Sequence, residues 1–191
     1  MHTLKYSVVI ALIAAFLWTS PTFAADKIAG EQLASNCLGC HDTNEHSGHT
    51  AHSPTPTLRA QQPAYLINQL TAFKTGNRND PVMTAMASNL SDDDIKNLAA
   101  YYASTPSIKT ETNATLAKVG QEKASMCLGC HGSKAEGNGP YPRLAGQHPD
   151  YITNQLTNFK AGLRKNGQMK AIANMLSEED MQALAAYFCG L

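Results

Sequence analysis

The pentapeptide Cys-Leu-Gly-Cys-His occurs twice in this chain of 191 residues, at positions 37–41 and 127–131. A longer block also recurs, because AYLINQLTAFKTGNR at residues 64–78 aligns with DYITNQLTNFKAGLR at residues 150–164, an offset of 86. Self-similarity on this scale indicates that one structural unit has been duplicated. We therefore expect two tandem copies of a domain of about eighty residues.

The amino terminus is predicted to be an export signal. Lys5 precedes an apolar run at residues 8–18, and small residues follow before a cleavage site at Ala24 or Ala25. The run of eleven residues is shorter than the roughly 18 to 20 that cross a bilayer, so an uncleaved anchor is the minor alternative. We predict a signal peptide at 1–24, a first domain at 25–104, a linker at 105–113 and a second domain at 114–191; the two domains are called the first and second repeat below.

Each repeat is predicted to be all-α. Alanine and leucine recur at helical spacing up to and through each pentapeptide, and no strand pattern appears after residue 25. The recurring block opens with a proline, which a first helical turn tolerates, and closes with a glycine. A capping-box pattern then announces the last helix. These signals lie at Pro63, Gly76, Ser91 and Asp94, and at Pro149, Gly162, Ser177 and Asp180. Three short helices make a thin core, which indicates that a cofactor fills the centre.

The pentapeptide is the attachment signature of c-type haem. Cysteines three apart, with a histidine after the second, project to nearly the same face of a helix, where they can hold a flat cofactor. We therefore predict Cys37, Cys40, Cys127 and Cys130 as thioether anchors, and His41 and His131 as iron ligands. A zinc site, thiol redox pairs and two disulfides are the alternatives. None of them requires the histidine that follows each pair, and zinc-binding pairs usually lie closer together.

The duplication also identifies a second iron ligand in each repeat. Met83 aligns with Met169, whereas the nearby Met86 aligns with Ile172. A ligand that both copies need must be Met83 and Met169, and we place each on the loop before the last helix. The pair of histidine and methionine is a known axial set in c-type cytochromes. The remaining methionines of this comparison are predicted to pack in the core: Met86, Met126, Met175 and Met181.

These motifs resemble the dihaem class I c-type cytochromes of the cytochrome c4 family. The resemblance covers CLGCH twice, PRLAGQ at residues 142–147, YITNQLTNFKAG, and the methionine block followed by LAAYY or LAAYF. It implies two tandem cytochrome c domains that face each other across a pseudo-twofold interface and hold two covalent haem c groups. It also implies a periplasmic electron carrier, often peripheral at the inner membrane, between a quinol-oxidising cytochrome bc complex and a terminal oxidase. The first repeat departs from the pattern, with Thr57 in place of Arg143; Arg59 is the expected substitute for contacts to the haem propionates.

With both axial positions filled, the irons have no site for a substrate, so we expect outer-sphere electron transfer by a monomer that is not an enzyme. The cytochrome subunit of an oxidoreductase, such as a flavocytochrome sulfide dehydrogenase, is the alternative. A dihaem peroxidase would need an open iron and normally a longer chain.

Charge distinguishes the two repeats. Without the leader the chain has 14 basic and 15 acidic residues, which gives no electrostatic support for a nucleic-acid partner. Residues 25–104 hold five basic and eight acidic side chains, and residues 114–191 hold eight and six. This asymmetry predicts a dipolar molecule whose second haem has the higher potential; two solvated surfaces without a steering role are the alternative.

Three smaller features complete the prediction. The segment HSGHTAH, with His46, His49 and His52, is expected to be a solvated loop, with metal binding as the alternative. Cys189 has no counterpart in the first repeat and is expected to pack as an apolar residue, with an intermolecular disulfide as the alternative. Tyr65 and Tyr151 are expected to pack at the haem edges.

Overall fold

The structure, a computed structural model, describes residues 25–41, 55–109 and 112–191. The signal peptide at 1–24 and the histidine-rich segment lie outside these residues, as does part of the predicted linker. The described residues form nine α-helices and no strand, which confirms the all-α prediction. The helices are α1 Lys27–His41, α2 Pro63–Lys74, α3 Pro81–Ser88, α4 Asp92–Ser104, α5 Ala114–Lys123, α6 Ser125–His131, α7 Pro149–Ala161, α8 Gly167–Asn174 and α9 Glu178–Cys189.

The two repeats share one arrangement of helices. In the first repeat, α1 packs against α4, α2 packs against α4, and α3 packs against α2. In the second repeat, α5 packs against α9, α7 packs against α9, and α8 packs against α7. The one difference is that α1 is continuous, whereas its counterpart is divided into α5 and α6 at Ala124.

A glycine brings the terminal helices of each repeat into close contact. A Cβ added to Gly30 would overlap the carbonyl oxygen of Asn97 on α4. A Cβ added to Gly120 would overlap the carbonyl oxygen of Ala183 on α9 in the same way. The backbones of α1 and α4, and those of α5 and α9, therefore approach more closely than any larger side chain permits.

Local capping signals explain where the last helix of each repeat begins. The Ser91 side chain accepts a hydrogen bond from the Asp94 N–H, and the Asp94 carboxylate accepts one from the Ser91 N–H. Ser177 and Asp180 form the same capping box at the start of α9. The predicted starts are thus confirmed, because a capping box satisfies helix N–H groups that would otherwise lack partners.

The short helices α3 and α8 were not predicted. We expected Met83 and Met169 on loops, and that placement is wrong, because each methionine lies in the first turn of an eight-residue helix. Asp80 and Asn166 cap these helices by accepting the backbone N–H of the methionine. Helices of two turns have too few positions to show a clear 3.6-residue periodicity.

The apolar core is divided between the repeats. One cluster joins buried residues of α1, α2 and α4, and a second joins residues of α6, α7 and α9 with the loop between α6 and α7. Cys189 is 0% exposed within α9. This burial favours its role as a packing residue, since an intermolecular disulfide needs an accessible sulfur. Among the described residues, no helix has the length and apolar character to span a membrane.

Candidate haem-binding site

One continuous cavity of about 1050 Å³ lies between the helices of both repeats. Its walls include apolar side chains from α2 and α4 and from α7 and α9. The eight residues predicted from the sequence all line it: Cys37, Cys40, His41 and Met83 from the first repeat, and Cys127, Cys130, His131 and Met169 from the second. The structure therefore gathers each predicted set from helices that are far apart in the chain.

The two histidines are held in one orientation. His41 ends α1, and its Nδ1 lies 2.8 Å from the carbonyl oxygen of Pro56. His131 ends α6, and its Nδ1 lies 2.8 Å from the carbonyl oxygen of Pro142. Because a carbonyl oxygen only accepts, each Nδ1 carries the proton and each Nε2 carries the lone pair that a metal requires. Burial lowers the pKa of His131, which keeps its imidazole neutral.

The cysteines favour thioether anchors over reactive thiols. Burial raises the pKa of Cys37, and it raises the pKa of Cys127 to about 11. Redox-active pairs of this spacing have the opposite property, a lowered thiol pKa. None of the four pentapeptide cysteines forms a disulfide in the structure. Within the described ranges, no three His, Cys, Asp or Glu side chains are arranged as a zinc site would need.

The methionines divide into those that line the cavity or the core and those that are exposed, and the sequence predicted this division only in part. Met83 and Met169 line the cavity and are partly buried. Of the four methionines predicted to pack in the core, only Met181 does so, at 1% exposure. The prediction is wrong for the other three, which are exposed by 43 to 61%: Met86, Met126 and Met175. An apolar residue type alone does not determine burial, since much of a folded surface is apolar.

The arginine contacts also differ from the prediction. Arg143 lines the cavity, and its Nε donates to the carbonyl oxygen of Ala145 at 3.0 Å. Arg59 is not among the residues that line the cavity, and its contact with a haem propionate stays a prediction. Instead, the equivalent residues Arg78 and Arg164 line the cavity from both repeats. Their recurrence at the offset of 86 was the sequence signal that could have identified them.

Arg78 and Arg164 connect the repeats through neutral partners. The Arg78 guanidinium donates to the Tyr151 hydroxyl at 3.2 Å, and the Arg164 guanidinium donates to the Tyr65 hydroxyl at 2.8 Å. Each guanidinium also lies over a phenylalanine ring of its own repeat, at 4.5 and 4.6 Å from the centroid. Both arginines further donate to the side-chain oxygens of Gln69 and Gln155.

This network has more positive charge than its described partners balance. Neither guanidinium forms an ion pair with a carboxylate in the described ranges, and burial raises the pKa of Tyr65. Haem carries two propionate carboxylates, which are the complementary charge for such a wall. Tyr65 and Tyr151, which we predicted to pack at the haem edges, thus each also accept a hydrogen bond from an arginine of the other repeat.

Two glutamines join the repeats reciprocally. The Gln147 side chain accepts from the Thr57 N–H at 2.9 Å and donates to the Thr57 carbonyl oxygen at 2.9 Å. The Gln61 side chain accepts from the Arg143 N–H at 2.7 Å and donates to the Arg143 carbonyl oxygen at 3.1 Å. Because Gln61 corresponds to Gln147 and Thr57 to Arg143, each repeat offers the same contact to the other. Such reciprocity is the property of an interface with approximate two-fold symmetry.

Known proteins resemble both repeats of this chain. The family model described as cytochrome c matches residues 28–106 and again residues 117–190. Cytochrome c4 of Azotobacter vinelandii is 36% identical over 192 residues, which cover 88% of this chain and 90% of the relative. This chain is a member of the cytochrome c4 family. The crystal structure of reduced recombinant cytochrome c4 from Pseudomonas stutzeri superimposes with a TM-score of 0.79 at 33% identity, covering 88% of this chain and 100% of that one.

A third relative has a more specific name. A thiosulfate dehydrogenase electron acceptor of Stutzerimonas stutzeri strain A1501 is 30% identical over 95% of this chain and 94% of its own length. The cytochrome c4 member described here has two cytochrome c domains and two covalently bound haem c groups, and it is an electron carrier. The predictions of fold, family and cofactor are thereby confirmed.

Proposed function

We propose that each domain of this cytochrome, at residues 25–104 and 114–191, binds one haem c through its own four residues. Haem supplies a one-electron iron couple at each site. The histidine Nε2 and the methionine sulfur would hold the iron, and the two cysteines would fix the ring covalently. The supporting observation is that both sets line one cavity, with each imidazole oriented by a proline carbonyl at 2.8 Å. The proposed sets are Cys37, Cys40, His41 and Met83, and Cys127, Cys130, His131 and Met169.

Outer-sphere electron transfer is the chemistry that such ligation supports. With a histidine and a methionine holding each iron, the chain would offer no open coordination site to a substrate, which supports an electron carrier rather than an enzyme. The ligands come from packed helices and capped turns, which keeps them in place in both oxidation states. A thioether ligand and an apolar cavity both raise the reduction potential.

The proposed setting is the periplasm, to which the signal peptide at residues 1–24 directs the protein before it is cleaved. We propose a monomer that takes electrons from a quinol-oxidising cytochrome bc complex and passes them to a terminal oxidase, with peripheral association at the inner membrane. The nearly balanced charge of the mature chain supports protein partners rather than nucleic acid.

A second candidate is the electron-accepting cytochrome of a periplasmic oxidoreductase. The relative named as a thiosulfate dehydrogenase electron acceptor supports this class, to which a flavocytochrome sulfide dehydrogenase subunit also belongs. Stopped-flow reduction of the holoprotein discriminates the two. Rapid reduction by a cytochrome bc complex supports the first proposal, and rapid reduction only by a thiosulfate dehydrogenase or a flavoprotein supports the second.

The ligand assignment is tested by single substitutions of the methionines in the full-length holoprotein. Met83→Ala and Met169→Ala should each remove about half of the methionine-to-iron absorption band and open one iron to carbon monoxide, since each repeat holds one of two equivalent ligands. Met86→Ala is the matched control, because Met86 lies on the same helix as Met83 but is exposed. An unchanged band in either ligand variant, or loss of the band in the control, would contradict the assignment.

A further inference from the structure

The two ligand-bearing helices of the second repeat lie on different sides of the cavity. Helix α6 ends at His131, and α8 carries Met169 in its first turn. Helix α8 packs against α7, and its backbone does not approach that of α6 within the part of the chain that the structure describes. Helix-to-helix packing therefore does not by itself hold the methionine opposite the histidine.

One hydrogen bond crosses from α8 to α6. The Gln168 side-chain Nε2 donates to the Cys130 Sγ at 3.7 Å, and sulfur, a larger atom than oxygen, still accepts at this distance. Gln168 directly precedes Met169, and Cys130 directly precedes His131. All four side chains line the cavity. The bond thus joins the chain neighbours of the two proposed iron ligands.

This hydrogen bond is compatible with the attached cofactor. The Cys130 Sγ stands for the sulfur of a thioether in the holoprotein. A thioether sulfur has no proton and can only accept, and the side-chain amide of Gln168 has N–H groups to donate. Because sulfur is a weak acceptor and the contact is exposed, the bond should contribute modestly.

The first repeat has the same ligand helix without this bond. Val82 stands at the position of Gln168, is 67% exposed and has no polar side-chain atom. Helices α3 and α8 both have eight residues, and each methionine N–H donates to its capping side chain at 2.9 Å. The duplication therefore provides a matched frame in which the contact to the cysteine is missing.

We propose that Gln168 is a positioning residue for the methionine ligand of the second repeat. By donating to the Cys130 Sγ, it ties the first turn of α8 to the pentapeptide helix. The tie opposes the outward movement of α8 that must accompany the departure of Met169 from the iron, so it slows replacement of Met169 by an external ligand. The inference rests on the proposed ligand Met169 and deepens the proposed function, because an electron carrier needs ligands that stay in place.

The test is displacement of the methionine by imidazole in the oxidised full-length holoprotein, followed as loss of the methionine-to-iron absorption band. In a Met83→Ala background the remaining band reports Met169 alone. Gln168→Leu and Gln168→Glu both remove the donor at neutral pH, one without a charge and one with the original side-chain length. Each should accelerate the displacement about threefold, the factor expected for loss of one weak hydrogen bond.

The reciprocal substitution tests the same contact in the first repeat. In a Met169→Ala background the band reports Met83 alone, and Val82→Gln should slow its displacement about threefold by adding a donor near Cys40. Gln182→Leu is the matched control, because Gln182 is an exposed glutamine of α9 that does not line the cavity. It should leave both displacement rates unchanged, and its midpoint in urea unfolding should equal that of Gln168→Leu.

Three results would overturn the inference. The first is an unchanged displacement rate in Gln168→Leu and Gln168→Glu proteins that keep the band. The second is an equal acceleration in Gln182→Leu. The third is an acceleration in Gln168→Leu that is matched by an equal loss of resistance to urea, since a general loss of stability would then explain it. The ligand assignment fails separately, if the band of the second repeat survives Met169→Ala.

Discussion

Replacing Gln147 by leucine should uncouple the two repeats. The Gln147 side chain satisfies both the N–H and the carbonyl oxygen of Thr57, and Gln147 and Thr57 are 5% and 6% exposed. Leucine has a similar size but no polar atom, so the substitution leaves three buried backbone groups without their partner: the Thr57 N–H, the Thr57 carbonyl oxygen, and the His148 N–H, which also donates to Gln147. The symmetric substitution Gln61→Leu has the same consequence for Arg143.

The expected loss of stability follows from the number of hydrogen bonds that the substitution removes. A hydrogen bond contributes about 0.5 to 1.5 kcal/mol net, and a buried polar group left unsatisfied costs about 1 to 3 kcal/mol. With three such groups, and partial compensation by the apolar side chain, we expect Gln147→Leu to lower the free energy of unfolding by about 2 to 4 kcal/mol. For a chain of this size that corresponds to a decrease in Tm of roughly 5 to 15 °C.

The assay is thermal and urea unfolding of the holoprotein, followed by circular dichroism and by haem absorbance. The Gln61→Leu/Gln147→Leu double variant should unfold in two transitions, because each repeat keeps its own core. Gln62→Leu is the matched control. The Gln62 side chain donates one hydrogen bond to the Glu136 carbonyl oxygen, at 2.9 Å, and this hydrogen bond is exposed, so water can replace it. The reasoning is refuted if Gln147→Leu is no less stable than Gln62→Leu, or if the double variant unfolds in one unshifted transition.

Two further predictions concern stability. Gly120→Ala should force α5 away from Ala183 and destabilise the protein by about 1 to 3 kcal/mol in urea unfolding. Gly167 has no neighbouring atom where a Cβ would lie, so Gly167→Ala should change stability by less than about 1 kcal/mol. Equal effects of the two substitutions would contradict the argument that Gly120 permits the close approach of α5 and α9. Hydrogen bonds from the Ser91 hydroxyl and backbone N–H lower the pKa of Asp94, so its contribution is present above the unfolded-state pKa and is lost as pH falls through the lower folded-state value. Ser91→Ala should therefore cost about 1 kcal/mol at neutral pH and progressively less in acid, and a penalty that does not depend on pH would contradict this linkage.

Much of the site was predictable because coordination chemistry is local in the sequence. The pentapeptide specifies two thiols and an imidazole on one helical face, and comparison of the repeats selects Met83 and Met169 from seven methionines. The structure lines one cavity with all eight of these residues. The helix beginnings at Ser91 and Ser177 were equally predictable, because a capping box needs only four consecutive residues.

The residues that the sequence analysis missed or mispredicted depend on how distant segments of the chain pack together. Nothing local indicates that Arg78 donates to Tyr151, because that contact exists only once the two repeats dock. Met86 was expected in the core on its residue type, and its exposure follows from the side of α3 on which it lies.

The sequence by itself determined the duplication, the helical class and the cofactor, and it selected the residues that we propose as ligands, since each of these is encoded in a few neighbouring residues or in their exact recurrence. Only the tertiary structure decided how the repeats meet, through Gln61 and Gln147 and through two arginines that share one wall of the cavity. The physical reason is that docking depends on the shapes and hydrogen-bonding groups of two assembled surfaces. Those surfaces do not exist until helices from separate parts of the chain have packed together.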